Sequence, residues 1–166
     1  MKIKKFYFLM LAALTLLCTS CGSDPVKFND TIVDGLNEVE DELNTLGDLI
    51  GDREYDEALL VLDSLELHVV DCTGSISALN NKSGEQFKAK SLELLELVES
   101  EFIPIHRKAI DDYRFADSIE DEDQMQLAYD EIYDRIVPVH DKYDSLNDEL
   151  IDLQKVFAEK NDIMLK

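Results

Sequence analysis

Two stretches of this 166-residue sequence carry the same chemistry-bearing pattern. Phe102-Ile103-Pro104-Ile105-His106-Arg107-Lys108 and Ile136-Val137-Pro138-Val139-His140-Asp141-Lys142 both read apolar-apolar-Pro-apolar-His-x-Lys, 34 residues apart. Imidazole changes charge near neutral pH, so it can carry protons, ligate metals or hydrogen-bond a ligand. A proline inside a helix removes one backbone hydrogen bond and bends the helix, here freeing the carbonyls of Ser100 and Asp134. If the chain folds back near residue 121, Pro104 and Pro138 come level, and two adjacent kinks open a small space. Phe102, Pro104, His106, Pro138, His140 and Tyr143 are then the candidate lining of a ligand pocket. His106 and His140 each follow a core position, Ile105 and Val139, by one residue, which predicts them at the edge of the apolar stripe. The plainer reading of the same residues is two boundary histidines, hydrogen-bonded locally beside structural kinks, and such residues are more often structural.

Other chemistry finds little support in the pattern. A tetratricopeptide repeat shares the 34-residue spacing but needs a turn between helices every dozen residues, which is missing. Carboxylate-bridged di-iron bundles need Glu-x-x-His pairs, and none of His68, His106 or His140 has Glu three residues before it. There is no Cys-x-x-Cys-His haem motif, and residues 117–123 lack the glycine and ligand spacing of an EF-hand loop. No nucleophile elbow, phosphate loop or His-Asp-Ser set is present. The expectation is therefore a protein with no metal, no cofactor and no enzymatic activity.

The elements that must position the histidines are helices, because apolar residues return at alternating steps of three and four and nowhere alternate at period two. The first stripe is Phe28, Ile32, Leu36, Val39, Leu43, Leu46, Ile50; the second is Tyr55, Leu59, Leu62, Leu65, Val69, Cys72, Ile76, Leu79. The third runs Phe87, Leu94, Val98, Phe102, Ile105, Ala109, and the fourth runs from Met125 through Tyr129, Ile132, Ile136, Val139, Tyr143, Leu146, Leu150 and Leu153 to Phe157. Asp24-Pro25 predicts an N-cap with proline in the first turn, Gly51 a C-terminal cap, and Asp52 the next N-cap. Ser83-Gly84-Glu85-Gln86 and Asp121-Glu122-Asp123-Gln124 predict capping boxes. Thr73-Gly74-Ser75 marks the weakest stretch of the second helix, where a kink or early stop is expected. Short turns make successive helices antiparallel neighbours. The predicted fold is all-α, an up-down-up-down antiparallel four-helix bundle over residues 25–166, with long, Pro-kinked third and fourth helices. The fourth is the longest, so Leu150, Leu153, Phe157 and Met164 are expected to overhang the bundle and need cover.

The first twenty residues read differently. Three lysines in Met1–Lys5 precede an uncharged apolar run, Phe6 to Leu17, too short to span a bilayer as a stable helix. Leu17-Cys18-Thr19-Ser20-Cys21-Gly22 resembles the lipobox of bacterial lipoproteins, which implies that residues 1–20 are removed and Cys21 is lipidated. Residues 21–24 are then a short tether, and Gly22 in place of Asp favours the outer membrane. The mature chain would hold 13 Lys plus Arg against 37 Asp plus Glu, a formal net charge of −24, compared with −21 for the full sequence. That charge opposes nucleic acid and anionic headgroups alike, so membrane attachment rests on the acyl chains. Cys18 would leave with the signal and Cys21 would be a thioether, leaving Cys72 unpaired at a core position.

Val26-Lys27-Phe28-Asn29-Asp30-Thr31-Ile32-Val33-Asp34, followed by long acidic helices with a Pro-containing third helix, is similar to an uncharacterised family of helical bacterial surface lipoproteins. The resemblance implies a surface or periplasmic location and supplies no catalytic residue. The function expected is a membrane-anchored binding or scaffold module at the cell envelope that engages a protein partner. The alternative is a small-ligand or metal-binding module beside Pro104 and Pro138. Neither partner identity nor oligomeric state is written in the pattern.

Overall fold

The structure is a computed structural model that describes residues 24–165. The signal segment 1–20 and the lipidation position Cys21 lie outside the described residues. Among those described, every regular element is helical: α1 (Pro25–Gly51), α2 (Tyr55–Ser77), a 3-10 turn (Lys82–Gly84), α3 (Glu85–Leu97), a π-helical turn (Val98–Phe102), α4 (Ile103–Asp117) and α5 (Glu122–Lys160). The third predicted helix is thus one helical path over residues 85–117, interrupted by a π turn just before Pro104. The fourth is α5, which stays helical through Pro138. None of these helices is long and apolar enough to cross a membrane.

Helix boundaries follow local chemistry, with two departures. Asp24 caps α1 by accepting the Val26 N–H at 2.9 Å with Pro25 in the first turn, and Asp121 caps α5 by accepting the Gln124 N–H at 3.0 Å. α1 ends at Gly51, but the residue that closes it lies two positions further on. Arg53 takes the left-handed conformation (φ 61°), and the Glu54 N–H reaches back to the Leu49 carbonyl at 2.8 Å, so Asp52 is not an N-cap. Ser83 forms no capping box either: Asn81 Oδ1 accepts from the Ser83 N–H and hydroxyl at 3.0 and 2.7 Å, and the 3-10 turn feeds α3. The weak stretch at Gly74 does not stop α2, which runs to Ser77.

The core is continuous from Phe28 to Phe157 and holds most of the predicted stripes. At one end Phe28, Phe87 and Phe157 bring three rings together, with centroids 6.3, 5.0 and 5.9 Å apart, over the backbone of Gly84. This end overturns the expected overhang. Leu150 and Phe157 are buried and Leu153 is half-buried, and this end of α5 lies against both neighbours: Gln154 donates to Asn29 of α1 and Asn161 donates to Ser83 beside α3. The partner path over residues 85–117 begins far enough down to cover α5; only Met164, 92% exposed, stands clear.

Contacts between neighbouring helices pair rising numbers with falling ones. Glu42 and Gly35 of α1 meet Ser64 and Cys72 of α2; Asp56 and Asp63 of α2 meet Arg114 and Arg107 of α4. Along α5, Arg135, His140 and Glu149 meet Asp112, His106 and Lys90.

Candidate functional site

The π turn decides where His106 stands. A π turn holds one residue more than an α turn, and successive helical residues are about 100° apart, so everything after it rotates by roughly that amount. The stripe carried by Leu94, Val98 and Phe102 therefore passes to Ile103, His106 and Ile110, all buried. His106, expected at the edge of the stripe, is only 5% exposed. Pro104 explains why the irregularity sits here: it has no N–H to give the Ser100 carbonyl, and the Ile103 N–H bonds Val98 five residues back.

Four of the six candidate residues come together. The Phe102 and His106 rings stack at 4.0 Å with 12° between planes, His140 lies 4.9 Å from the Phe102 ring, and Tyr143 lies 6.1 Å from it. His106 Nδ1 donates to the Phe102 carbonyl at 2.9 Å, and His106 Nε2 lies 3.0 Å from His140 Nε2. A carbonyl only accepts, so the His106 proton is on Nδ1; its Nε2 is then the acceptor, and His140 Nε2–H the donor. Burial drives the His106 imidazole down to about 4 against a helping bond from the Phe102 carbonyl, with the neighbouring His140 charge adding to the fall. His140 is also lowered by burial, partly offset by Asp144 and Asp141, and burial pushes the Tyr143 phenol up to about 12. Near neutral pH this is an uncharged, ring-packed pair.

Pro104 and Pro138 are exposed and do not line this cluster. Pro104 instead borders an open depression of about 450 Å³ between α2 and α4, with Glu66, Ile103 and Arg107. The rings fill the region where a space between the kinks was expected.

A second polar cluster was not foreseen. At the far end of the bundle Asp117 accepts from Tyr55 at 2.8 Å and from Tyr129, and Arg53 approaches at 3.4 Å. Burial raises the Asp117 carboxyl, but the two phenol bonds and the Arg53 charge outweigh it, and the net shift is downward. The signal available in the sequence was that Tyr55 and Tyr129 are the polar-tipped members of two stripes near predicted turns. With so many carboxylates, their partner could not be chosen. The third histidine, His68, lies 3.0 Å from Glu42, which also accepts from Ser64 at 2.9 Å. Cys72 is buried and unpaired, and burial followed by Glu38 pushes its thiol up to about 11, the state of an unreactive core residue. Among the described residues no three His, Cys, Asp or Glu side chains are grouped to hold a metal.

No protein-family model matches the chain, and neither curated proteins nor solved structures match it.

Proposed function

We propose that the chain is a non-enzymatic binding or scaffold module of the bacterial cell envelope, anchored to the outer membrane by lipid on Cys21. The lipobox pattern and the short apolar run support the anchor. The descending contact pairs support an up-down-up-down antiparallel bundle, with bends at Pro104 and Pro138 where backbone bonds are missing. One observation carries the binding role. The polar clusters turn inward onto their own partners, whereas Leu60, Leu67 and Val70 lie on one face of α2 and are 67, 68 and 53% exposed. Residues spaced seven and three apart share a helix face, which Asp63, paired with Arg107, also occupies, and exposed apolar residues grouped in this way are a candidate contact surface.

The anchor is tested by intact mass together with external protease on whole cells of the native host: a lipidated fragment starting at Cys21 is expected, and a mature protein lacking lipid ends that part of the proposal. For the contact face, a photo-crosslinker at Leu67 should yield a discrete protein adduct that one at Glu131 does not. Equal or absent adducts at both positions would remove the α2 face.

A second reading, a small-ligand or metal-binding module, draws on the two neutral imidazoles contributed by α4 and α5. Ligand-dependent thermal stabilisation that disappears in His106→Ala and His140→Ala is its requirement.

A further inference from the structure

Independently of either reading above, we propose that the His106–His140 pair is an acid-sensitive joint: protonation of both imidazoles separates α4 from α5 beside the π turn.

The two rings share one contact and have one hydrogen to place in it. His106 Nδ1–H is committed to the Phe102 carbonyl, so His106 Nε2 contributes a lone pair and His140 Nε2 contributes the hydrogen. A first proton from solvent goes to the free His140 Nδ1, on the more exposed ring and near Asp141 and Asp144. The Nε2–H···Nε2 bond survives that step and gains from the charge. A second proton has only His106 Nε2 to occupy. Two N–H groups on two cations would then face each other at 3.0 Å with no acceptor between them, the His106 ring buried and the His140 ring open to solvent on its outer side. The contact must open, and the two protons are taken up in coupled steps rather than independently.

The surrounding charges bias the sequence of events without cancelling it. On α5, Asp141 and Asp144 favour the His140 cation; on α1, Glu40 acts on Tyr143, which stays a neutral phenol. The side of α2 that faces α4 has Asp63 and Glu66 already tied to Arg107, so neither is free to hold a His106 cation. The ion pair of Lys142 with Glu101 spans the same joint.

The joint is also where the helical path is least tied by its own backbone. Pro104 gives no N–H, and the π turn replaces the regular ladder over residues 98–102. Loss of the ring contact therefore acts on a segment with reduced local support, while the Phe28–Phe87–Phe157 end and the Asp117 cluster keep their own contacts.

Hydrogen exchange of the full chain at about pH 7 and about pH 4, each rate divided by the intrinsic rate at that pH, tests this directly. Protection over residues 98–108 and 136–144 should fall at least about tenfold on acidification, with little change around Phe28 and Phe157. His106→Phe keeps a ring in place and removes the second protonation site, so protection should stay nearly level with pH. Should that variant fail to fold, ring-nitrogen NMR of the unaltered chain decides. Two coupled protonation steps, the later one on His106 Nε2, support the joint. Independent, ordinary titration of the two rings overturns it, as does equal acid loosening in wild type and His106→Phe.

Discussion

Three phenylalanines close one end of the bundle and three tyrosines gather at the other, and the two ends are held by different physics. Phe28, Phe87 and Phe157 are sealed from water and packed onto a glycine whose missing side chain lets them in. Tyr55, Tyr113 and Tyr129 border a depression of about 320 Å³, and two of them spend their hydroxyls on Asp117. The first end rests on apolar area and close packing, which pH does not touch. The second rests on a charged carboxylate and is coupled to solvent. His106 and His140 lie between, on the long hairpin that connects the two.

The dry end should show the largest single loss. Phe157→Ala removes a fully buried ring from a three-ring cluster with no room to collapse, and should cost about 3–5 kcal/mol in urea unfolding. A loss under about 1 kcal/mol would mean that this end relaxes and is not close-packed.

Acid titration comes next, and its sign is fixed by His106. The imidazole is depressed from 6.5 to about 4 in the folded chain, so between those values the unfolded state binds more protons. Stability is therefore full above about pH 6.5 and falls as pH drops towards about 4, by an amount on the order of 3 kcal/mol at most. The Asp117 cluster behaves differently: its carboxyl is lowered, so its contribution persists above 3.8 and is lost only as pH falls further. Denaturant midpoints between about pH 7 and 4 should fall in wild type and fall less in His106→Phe, where only the lowered His140 remains.

How much of this was readable in the sequence depends on whether a pattern or a partner choice was required. The stripes through Phe28, Val39, Leu62, Val69, Phe102 and Leu146 set the core because helical periodicity leaves no other face to bury. The meeting of His106 with His140 was likewise legible, because a turn near residue 121 brings them level. The burial of His106 was not legible. It depends on one extra residue per turn at 98–102, and proline marks a disturbance without saying whether the backbone bends, breaks or takes a π turn. The Asp117 cluster was hidden for a different reason, since Tyr55 and Tyr129 each had many carboxylates within plausible reach. The overhang expected at Leu150 and Phe157 failed because the greater length of a helix does not say where its ends fall against its neighbours, and the path over residues 85–117 starts low enough to cover α5.

Two glycines sharpen the contrast between the ends at smaller cost. A Cβ on Gly84 would lie 2.5 and 2.7 Å from Phe28 ring atoms and 2.9 Å from Phe157, so Gly84→Ala should lose about 1–3 kcal/mol by forcing buried rings apart. A Cβ on Gly51 would meet nothing within 4 Å, and that position closes a helix. Gly51→Ala should be neutral or gain up to about 1 kcal/mol from helix propensity. Equal effects of the two changes on the urea midpoint would deny that only one end is tightly packed.

The smallest loss belongs to the wet end. Tyr129→Phe keeps the ring beside Tyr113 and removes one of the two phenol donors to Asp117, while Tyr55 and Arg53 remain. The carboxylate is half-buried with water at hand, so the loss should be about 1 kcal/mol at neutral pH. The same substitution should move the Asp117 titration up, because a bond that favoured its charged form is gone. Carboxyl NMR reads that shift directly. A titration that stays in place while stability drops would assign the loss to packing of the tyrosine ring, making this end a wetter version of the other rather than one held by charge.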